Sequence, residues 1–302
     1  MMLKRKIVFG DIFTALFLTF SVVMCLIPIL NTLAISFSDS TSAGGGKVLI
    51  WPVVYGEPWY HFNLGAYKEL LKDSKFLSAF WISVQRTVIG VGLNVLLCIL
   101  SAYPLSKTPA QFRRKNFYMW FFVFLMLFNG GLVPTYVVVS HLRLINSIWA
   151  LVLPGALPIF SCIILMNFYK TIPHSLEEAA LMDGAGPWRI LMQIYIPLSK
   201  ASIAVVALLS LVGHWNDFFG GLVYMSQTKY YPLQTYIYTL TTSVDAQRLS
   251  SMTPKQIQDM FAAMGLPFSS AKVVVSTIPI LIIYPFLQRY FVTGLVMGAV
   301  KE

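Results

Sequence analysis

Residues 12–36 read IFTALFLTFSVVMCLIPILNTLAIS, twenty-five consecutive positions without a charged side chain. A helix rises about 1.5 Å per residue, so about 20 apolar residues span the hydrocarbon core of a bilayer. The pattern recurs at roughly 77–103, 117–139, 147–168, 201–225 and 272–290. Backbone polar groups in hydrocarbon must be satisfied within their own segment, which makes these runs helices. The expected fold is all-α and integral to the membrane, with six transmembrane helices in a single transmembrane domain over residues 1–302.

Composition agrees. The chain is 57% hydrophobic and 11% charged, against about 25% charged residues in soluble domains. Its net charge is +10, and many basic residues stand at the ends of the apolar runs. That placement speaks for membrane orientation rather than for nucleic acid. Lys4, Arg5 and Lys6 precede an apolar stretch too long for a signal-peptide core, which reads as a retained first span. With the N-terminus in the cytosol, Lys107, Arg113, Arg114, Lys115, Lys170, Arg189 and Lys200 fall on the same side. Those connections are short and densely basic, so both termini are expected to be cytosolic. Cys25, Cys98 and Cys162 lie inside apolar segments and read as small buried residues rather than as ligands or a disulfide.

Three long connections remain. Residues 37–76 and 226–271 fall outside on this topology. The first contains SAGGGK, which lacks the first glycine and the Ser/Thr of a phosphate-binding loop. In the second, Thr253, Pro254 and Gln256 form a helix-start signal. Ile257, Met260, Phe261 and Met264 then share one face of a short amphipathic helix, lying on the membrane surface or packed on the bundle.

The third connection, 169–200, is cytosolic and contains EEAALMDGAGPWRILMQIYIPLSK. Pro173 breaks the preceding span. Ser175 stands three residues before Glu178, the capping-box spacing, so a short helix is expected to start at Ser175. Leu176, Ala179 and Ala180 share one face. Gly184 or Gly186 ends the helix, Pro187 opens a second, and Pro197 marks the approach to the fifth span. Residues 175–197 are thus a helix, a tight turn and a helix. On these signals alone, Glu178 is either a cap in a polar connector or a contact residue.

Polar groups inside spans are costly unless they face a cavity or a partner. Gln85 and Arg86 lie in the second span, and Asn129 lies in the third beside Gly130, Gly131 and Pro134. Tyr136 follows about two turns later. His214, Trp215, Asn216 and Asp217 cluster in the fifth. Hydrogen-bonding side chains with aromatic faces suit a sugar. Equally, Arg86 and Asp217 would pair with each other and hold the bundle together. His61, His141 and His174 have no ligand spacing, and Asp245 and Asp259 read as solvated surface. No catalytic signature and no metal site emerge.

The spacing Glu178-Ala179-Ala180, three residues, Gly184, nine residues, Ile194-Tyr195-Ile196-Pro197 resembles the EAA loop of permeases of ATP-binding-cassette importers. Ile196 replaces the leucine of that pattern. SAYPLSK at 101–107, GGLVPTY at 130–136, WNDFFGGLVY at 215–224 and QRYFVTGLVMGAVK at 288–301 are similar to stretches of the maltose/oligosaccharide type. GGLVPTY resembles a branch linked to complex oligosaccharides or polysaccharide fragments.

The resemblance implies a non-catalytic permease subunit in a bacterial cytoplasmic membrane. Glu178, Ala179, Ala180, Gly184, Ile194 and Pro197 would couple it to a dimer of ATP-binding subunits. Arg86, Asn129, Tyr136, His214, Trp215, Asn216 and Asp217 would line the substrate pathway. The tail from Gly298 to Glu302 would reach toward the ATPase. The chain itself would bind no cofactor, with ATP and magnesium on the partner. A second homologous permease, an external solute-binding protein, an oligosaccharide and membrane lipid complete the expected partners. A permease for peptides, amino acids or phosphonates is the first alternative. A membrane-embedded enzyme and a secondary transporter are more distant ones.

Overall fold

A computed structural model describes residues 9–58, 61–242 and 265–299. In chain order the helices are α1 (Phe9–Ser36), α2 (Ser40–Gly44), α3 (Gly65–Lys72), α4 (Ser74–Ser106), α5 (Lys115–Leu127), α6 (Leu132–His141), α7 (Ile148–Gly155, its end a 3-10 turn) and α8 (Ile159–Tyr169). They continue with α9 (His174–Met182), α10 (Pro187–Leu198), α11 (Lys200–Asn216), α12 (Phe219–Tyr224), α13 (Leu233–Thr242) and α14 (Leu266–Ala299). There is no strand among the described residues.

Three helices are long and apolar enough to cross a bilayer unbroken: Phe13–Ser36 of α1, all of α4, and Leu266–Ile283 of α14. Three bent pairs supply the other segments. α5 and α6 meet at 112°, α7 and α8 at 49°, and α10 and α11 at 80°. The sequence accounts for each break. Asn129 Oδ1 accepts from Gly131 N at 2.9 Å, and Gly131 takes φ 87° before α6. Pro158 stands at the N-cap of α8, following Pro154 and Gly155. Pro197 and Ser199 lie at the junction of α10 and α11.

Three expected spans need correction. The third is not one helix; it breaks between Leu127 and Leu132, where α5 and α6 meet at 112°. The fifth does not run to residue 225; its helix stops at Asn216, Asp217 is extended, and α12 starts at Phe219. The fourth is bent rather than straight, because two prolines and a glycine interrupt its hydrogen-bond ladder. The amphipathic helix expected around Thr253–Met264 lies outside the described residues.

Chain contacts divide the molecule into two units, within residues 1–74 plus 240–277 and within 75–239 plus 278–302. In the first, α1 is exposed along most of its apolar length, as a lipid-facing helix should be. Cys25 lies on that exposed surface, contrary to the expectation that it is buried. The following loop is tied back to α1. Asn31 Nδ2 donates to the carbonyls of Val48 at 3.0 Å and Leu49 at 2.7 Å. Asp39 caps α2, accepting from the Thr41 and Ser42 amides at 3.1 Å, and also accepts from Tyr55 N at 3.0 Å. Burial opposes ionisation of Asp39, but these hydrogen bonds win and hold its pKa at about 2.

The core of the second unit lies where α4, α8, α10 and α11 pack together. Cys98, Ala102, Cys162, Leu165, Met166, Tyr169, Ile190, Leu191, Tyr195 and Val206 are all buried there. Lipid competes for apolar surface as well as leucine does, so close approach through small residues such as Ala102 and the two cysteines brings such helices together.

Candidate functional site

Two places in the second unit carry the polar residues singled out by sequence. The first is the connection 170–200. α9 begins at His174, two residues earlier than a cap at Ser175 would place it, with Pro173 at its N-cap and no side-chain cap. Ser175 and Glu178 are therefore inside the helix and exposed, and the capping box does not form. The reason is Pro173: with extended backbone and no N–H, it starts the helix before the serine can.

The C-terminal end follows expectation. Gly184 takes φ 74°, Ala185 N donates to Ala180 O at 2.9 Å, and Gly184 N donates to Leu181 O at 3.0 Å. That is a Schellman motif, with glycine in the left-handed position that other residues adopt at a cost. Pro187 opens α10, and Leu191–Tyr195 forms a π-helical turn before Pro197.

Sequence reading passed over Glu177. It is buried, and it is the buried residue of α9. Its Oε1 lies 2.8 Å from Lys107 Nζ, and its Oε2 accepts from Tyr195 OH at 2.8 Å. Lys107 Nζ donates to Tyr195 OH at 3.0 Å and lies 4.2 Å from the ring centres of both Tyr103 and Tyr195. His174 Nδ1 is 4.0 Å from Glu177 Oε2. Burial lowers the Lys107 pKa, with Glu177 pulling it back. At Glu177 burial pulls upward, but Lys107, Tyr195 and His174 prevail and hold its pKa below the ordinary carboxylate value. A buried acid beside an exposed one was a weak signal in EEAA; the lysine of SAYPLSK was its partner.

Of the other residues of this stretch, Ala179 is exposed, while Ala180 and Ile194 are half-buried against the core. The outward face is apolar: Leu181 is exposed, Met182 is 88% exposed and Trp188 66%.

The second place is a cavity of about 390 Å³ lined by residues of α4, α7, α8, α11 and α12. Arg86, Asn94, Ser161, Ser210, His214 and Asp217 form its polar wall. Arg86 Nη1 donates to the Asp217 carbonyl at 2.9 Å and Nη2 to its carboxylate. Arg86 Nε has no hydrogen-bond partner among the described residues. Asp217 Oδ1 also accepts from Gly220 N at 3.0 Å, at the start of α12. With its amide turned to satisfy both ends, Asn94 donates to Gly90 O at 3.0 Å and Ala156 O at 3.1 Å and accepts from His214 Nε2 at 3.3 Å.

Of the expected pathway residues, the structure brings Arg86, His214 and Asp217 together. Tyr136 stacks on the cavity-lining Tyr224, with ring centres 6.3 Å apart. Trp215 is buried edge-on against Phe80 and faces a separate apolar pocket. Asn216 is exposed, and Asn129 sits at the α5–α6 break with its side chain turned to Gly131. Asn94 and Ser210 were missed, because a lone polar residue in an apolar run has no sequence partner. Residues 300–302 of the expected tail lie outside the described residues.

Comparison with known proteins concerns the chain as a whole. The chain is 35% identical over 291 residues to Protein LplC of Bacillus subtilis (strain 168), covering 96% of this chain and 94% of that one. It is 33% identical over 288 residues to the polygalacturonan/rhamnogalacturonan transport system permease protein YtcP of the same organism, covering 94% and 96%. A chain of a bacterial ABC transporter involved in the import of the acidic polysaccharide alginate superposes with a TM-score of 0.82 at 27% identity, over 95% of this chain and all of that one. Residues 94–296 match the family described as binding-protein-dependent transport system inner membrane component. With its membrane-crossing helices and this match, the chain belongs to that family and is a multi-pass permease component of the cytoplasmic membrane.

Proposed function

We propose that this chain is one permease half of an ATP-driven importer for oligosaccharides or polysaccharide fragments. The observation that carries the reading is the 170–200 connection. It presents a short helix closed at its C-terminus by the Gly184 turn, with Leu181, Met182 and the following Trp188 exposed, and it is fastened by Glu177 to the ends of two membrane-crossing segments. An exposed apolar face of this kind suits a protein partner, here a dimer of ATP-binding subunits that bind and hydrolyse ATP with magnesium. Glu178, Ala179, Ala180, Gly184, Ile194 and Pro197 serve docking and coupling. The cavity with Arg86, His214, Asp217 and Tyr136 at its edge is this half's share of the pathway, completed by a second, homologous permease.

In this reading the connection 170–200 and both termini are cytosolic, and an external binding protein delivers substrate on the opposite side. The names of relatives direct the choice of ligand: fragments of polygalacturonan, rhamnogalacturonan and alginate come first. The test is to purify the tagged chain from its native membrane and reconstitute what accompanies it. An ATP-binding subunit and a second permease should co-purify, and one oligosaccharide class with its binding protein should raise ATP hydrolysis. A chain that purifies without an ATPase, or an ATPase stimulated by peptides and not by sugars, would end this reading.

A further inference from the structure

We infer that Glu177, rather than the adjacent Glu178, is the positioning residue that carries movement of α9 into the membrane-crossing helices, acting through Lys107 and Tyr195. The inference rests on the proposed docking of an ATPase at α9.

The argument is geometric. Three polar groups from three elements close a triangle with sides of 2.8, 3.0 and 2.8 Å: Lys107 after α4, Glu177 in α9 and Tyr195 in α10. Lys115 Nζ, at the start of α5, donates to the Lys107 carbonyl, so a fourth element joins. The tyrosines are themselves locked, since the Tyr195 ring meets Tyr103 and Tyr169 edge-on at 5.0 and 5.3 Å. Glu178 is exposed and faces away from this network.

α9 buries little else, so displacing it either drags Lys107 and Tyr195 along or leaves a buried ammonium and a buried carboxylate apart. The second course is strongly unfavourable. Tyr195 is also well placed to turn a push into a bend. It ends the π-helical turn Leu191–Tyr195, four residues before Ser199, where α10 gives way to α11 at 80°. π-turns interrupt the helical ladder and recur at functional sites. Beyond that bend, α11 holds Ser210 and His214 of the cavity wall.

The experiment uses the whole importer in proteoliposomes, with ATP hydrolysis, uptake and retention of the ATPase subunit measured on each preparation. Glu177→Gln and Lys107→Met should retain the ATPase within about twofold while uptake per ATP hydrolysed falls at least tenfold. The paired exchange Glu177→Lys with Lys107→Glu should recover much of that ratio, which a loss of packing would not. Tyr195→Phe keeps the ring contacts and removes one hydroxyl; it should lower the ratio several-fold, and it decides the matter if the charge variants reach the membrane poorly. Glu178→Gln, on the docking face, should lower retention of the ATPase rather than the ratio, and Glu69→Gln, an exposed carboxylate of α3 far along the chain, should change neither. An unchanged ratio in Glu177→Gln and Tyr195→Phe overturns the inference while leaving ATPase docking intact. Loss of the ATPase together with uptake also overturns it, by making Glu177 a docking residue. Failure of the wild-type chain to retain an ATPase would instead refute the docking reading itself.

Discussion

Arg86 and Asp217 join α4 to the carboxyl end of α11, with Arg86 gripping both the backbone carbonyl and the carboxylate of Asp217. The arginine side chain is 4% exposed and the aspartate 33%. Breaking a buried pair from one side leaves a charge without compensation, at about 3 kcal/mol. Asp217→Asn should therefore destabilise the purified protein by about that much, and Arg86→Met by a similar amount. The double variant should lose at least ~1 kcal/mol less than the sum, because it strands no charge. Denaturation in detergent measures this, and strict additivity would show that the two side chains do not act as a pair.

Glu177 and Glu178 are adjacent and should behave oppositely. Glu177→Ala strands Lys107 in a buried site and should cost about 3 kcal/mol, while Glu178→Ala on the exposed face should stay within about 0.5 kcal/mol. The pH dependence follows from the lowered Glu177 pKa. A carboxyl depressed by folding contributes stability that is complete above its unfolded value of about 4.3 and is lost as pH falls through the folded value. The gap in melting temperature between wild type and Glu177→Gln should thus be full at neutral pH and close below about pH 4. A gap that widens on acidification would contradict the pairing.

Gly184 has φ 74° and donates its amide to Leu181 O. Gly184→Ala should cost about 1 kcal/mol for a left-handed residue, and Gly184→Asn less. Gly184→Pro cannot adopt the angle and removes the donor, so it should abolish coupled uptake. Full uptake by the proline variant would remove this turn from the coupling mechanism.

Asp39 caps α2 in the loop that follows α1. Asp39→Ala should cost about 1 kcal/mol. Because the folded pKa is about 2, the contribution should hold down to about pH 4 and fade between there and pH 2. Protection of this loop from a protease active in acid is a direct measure, and a cap that weakened from pH 6 downward would disagree.

Apolar runs of about 20 residues were enough to place the membrane-crossing segments, because lipid imposes that length whatever the tertiary packing. Prolines and glycines marked where α5–α6 breaks and where α9 ends, since their backbone limits are local. The N-cap of α9 was misjudged by two residues, Pro173 standing where Ser175 was expected. Neighbours on a helix point about 100° apart, so packing against Lys107 and Tyr195 can bury Glu177 while Glu178 stays exposed.

The membrane class, the helical runs, the turn at Gly184 and the family likeness were therefore all settled by local chemistry and spacing. Which acid is buried, which polar residues meet, and which remain exposed were settled by packing. Lys107 and Glu177 are 70 positions apart in the chain, and Arg86 and Asp217 are 131 apart. A sequence records that such charges exist inside or beside apolar segments; their cost there demands partners. Only the tertiary packing that brings the end of α4 to α9 and α10, and its middle to α11, decides which partners they find.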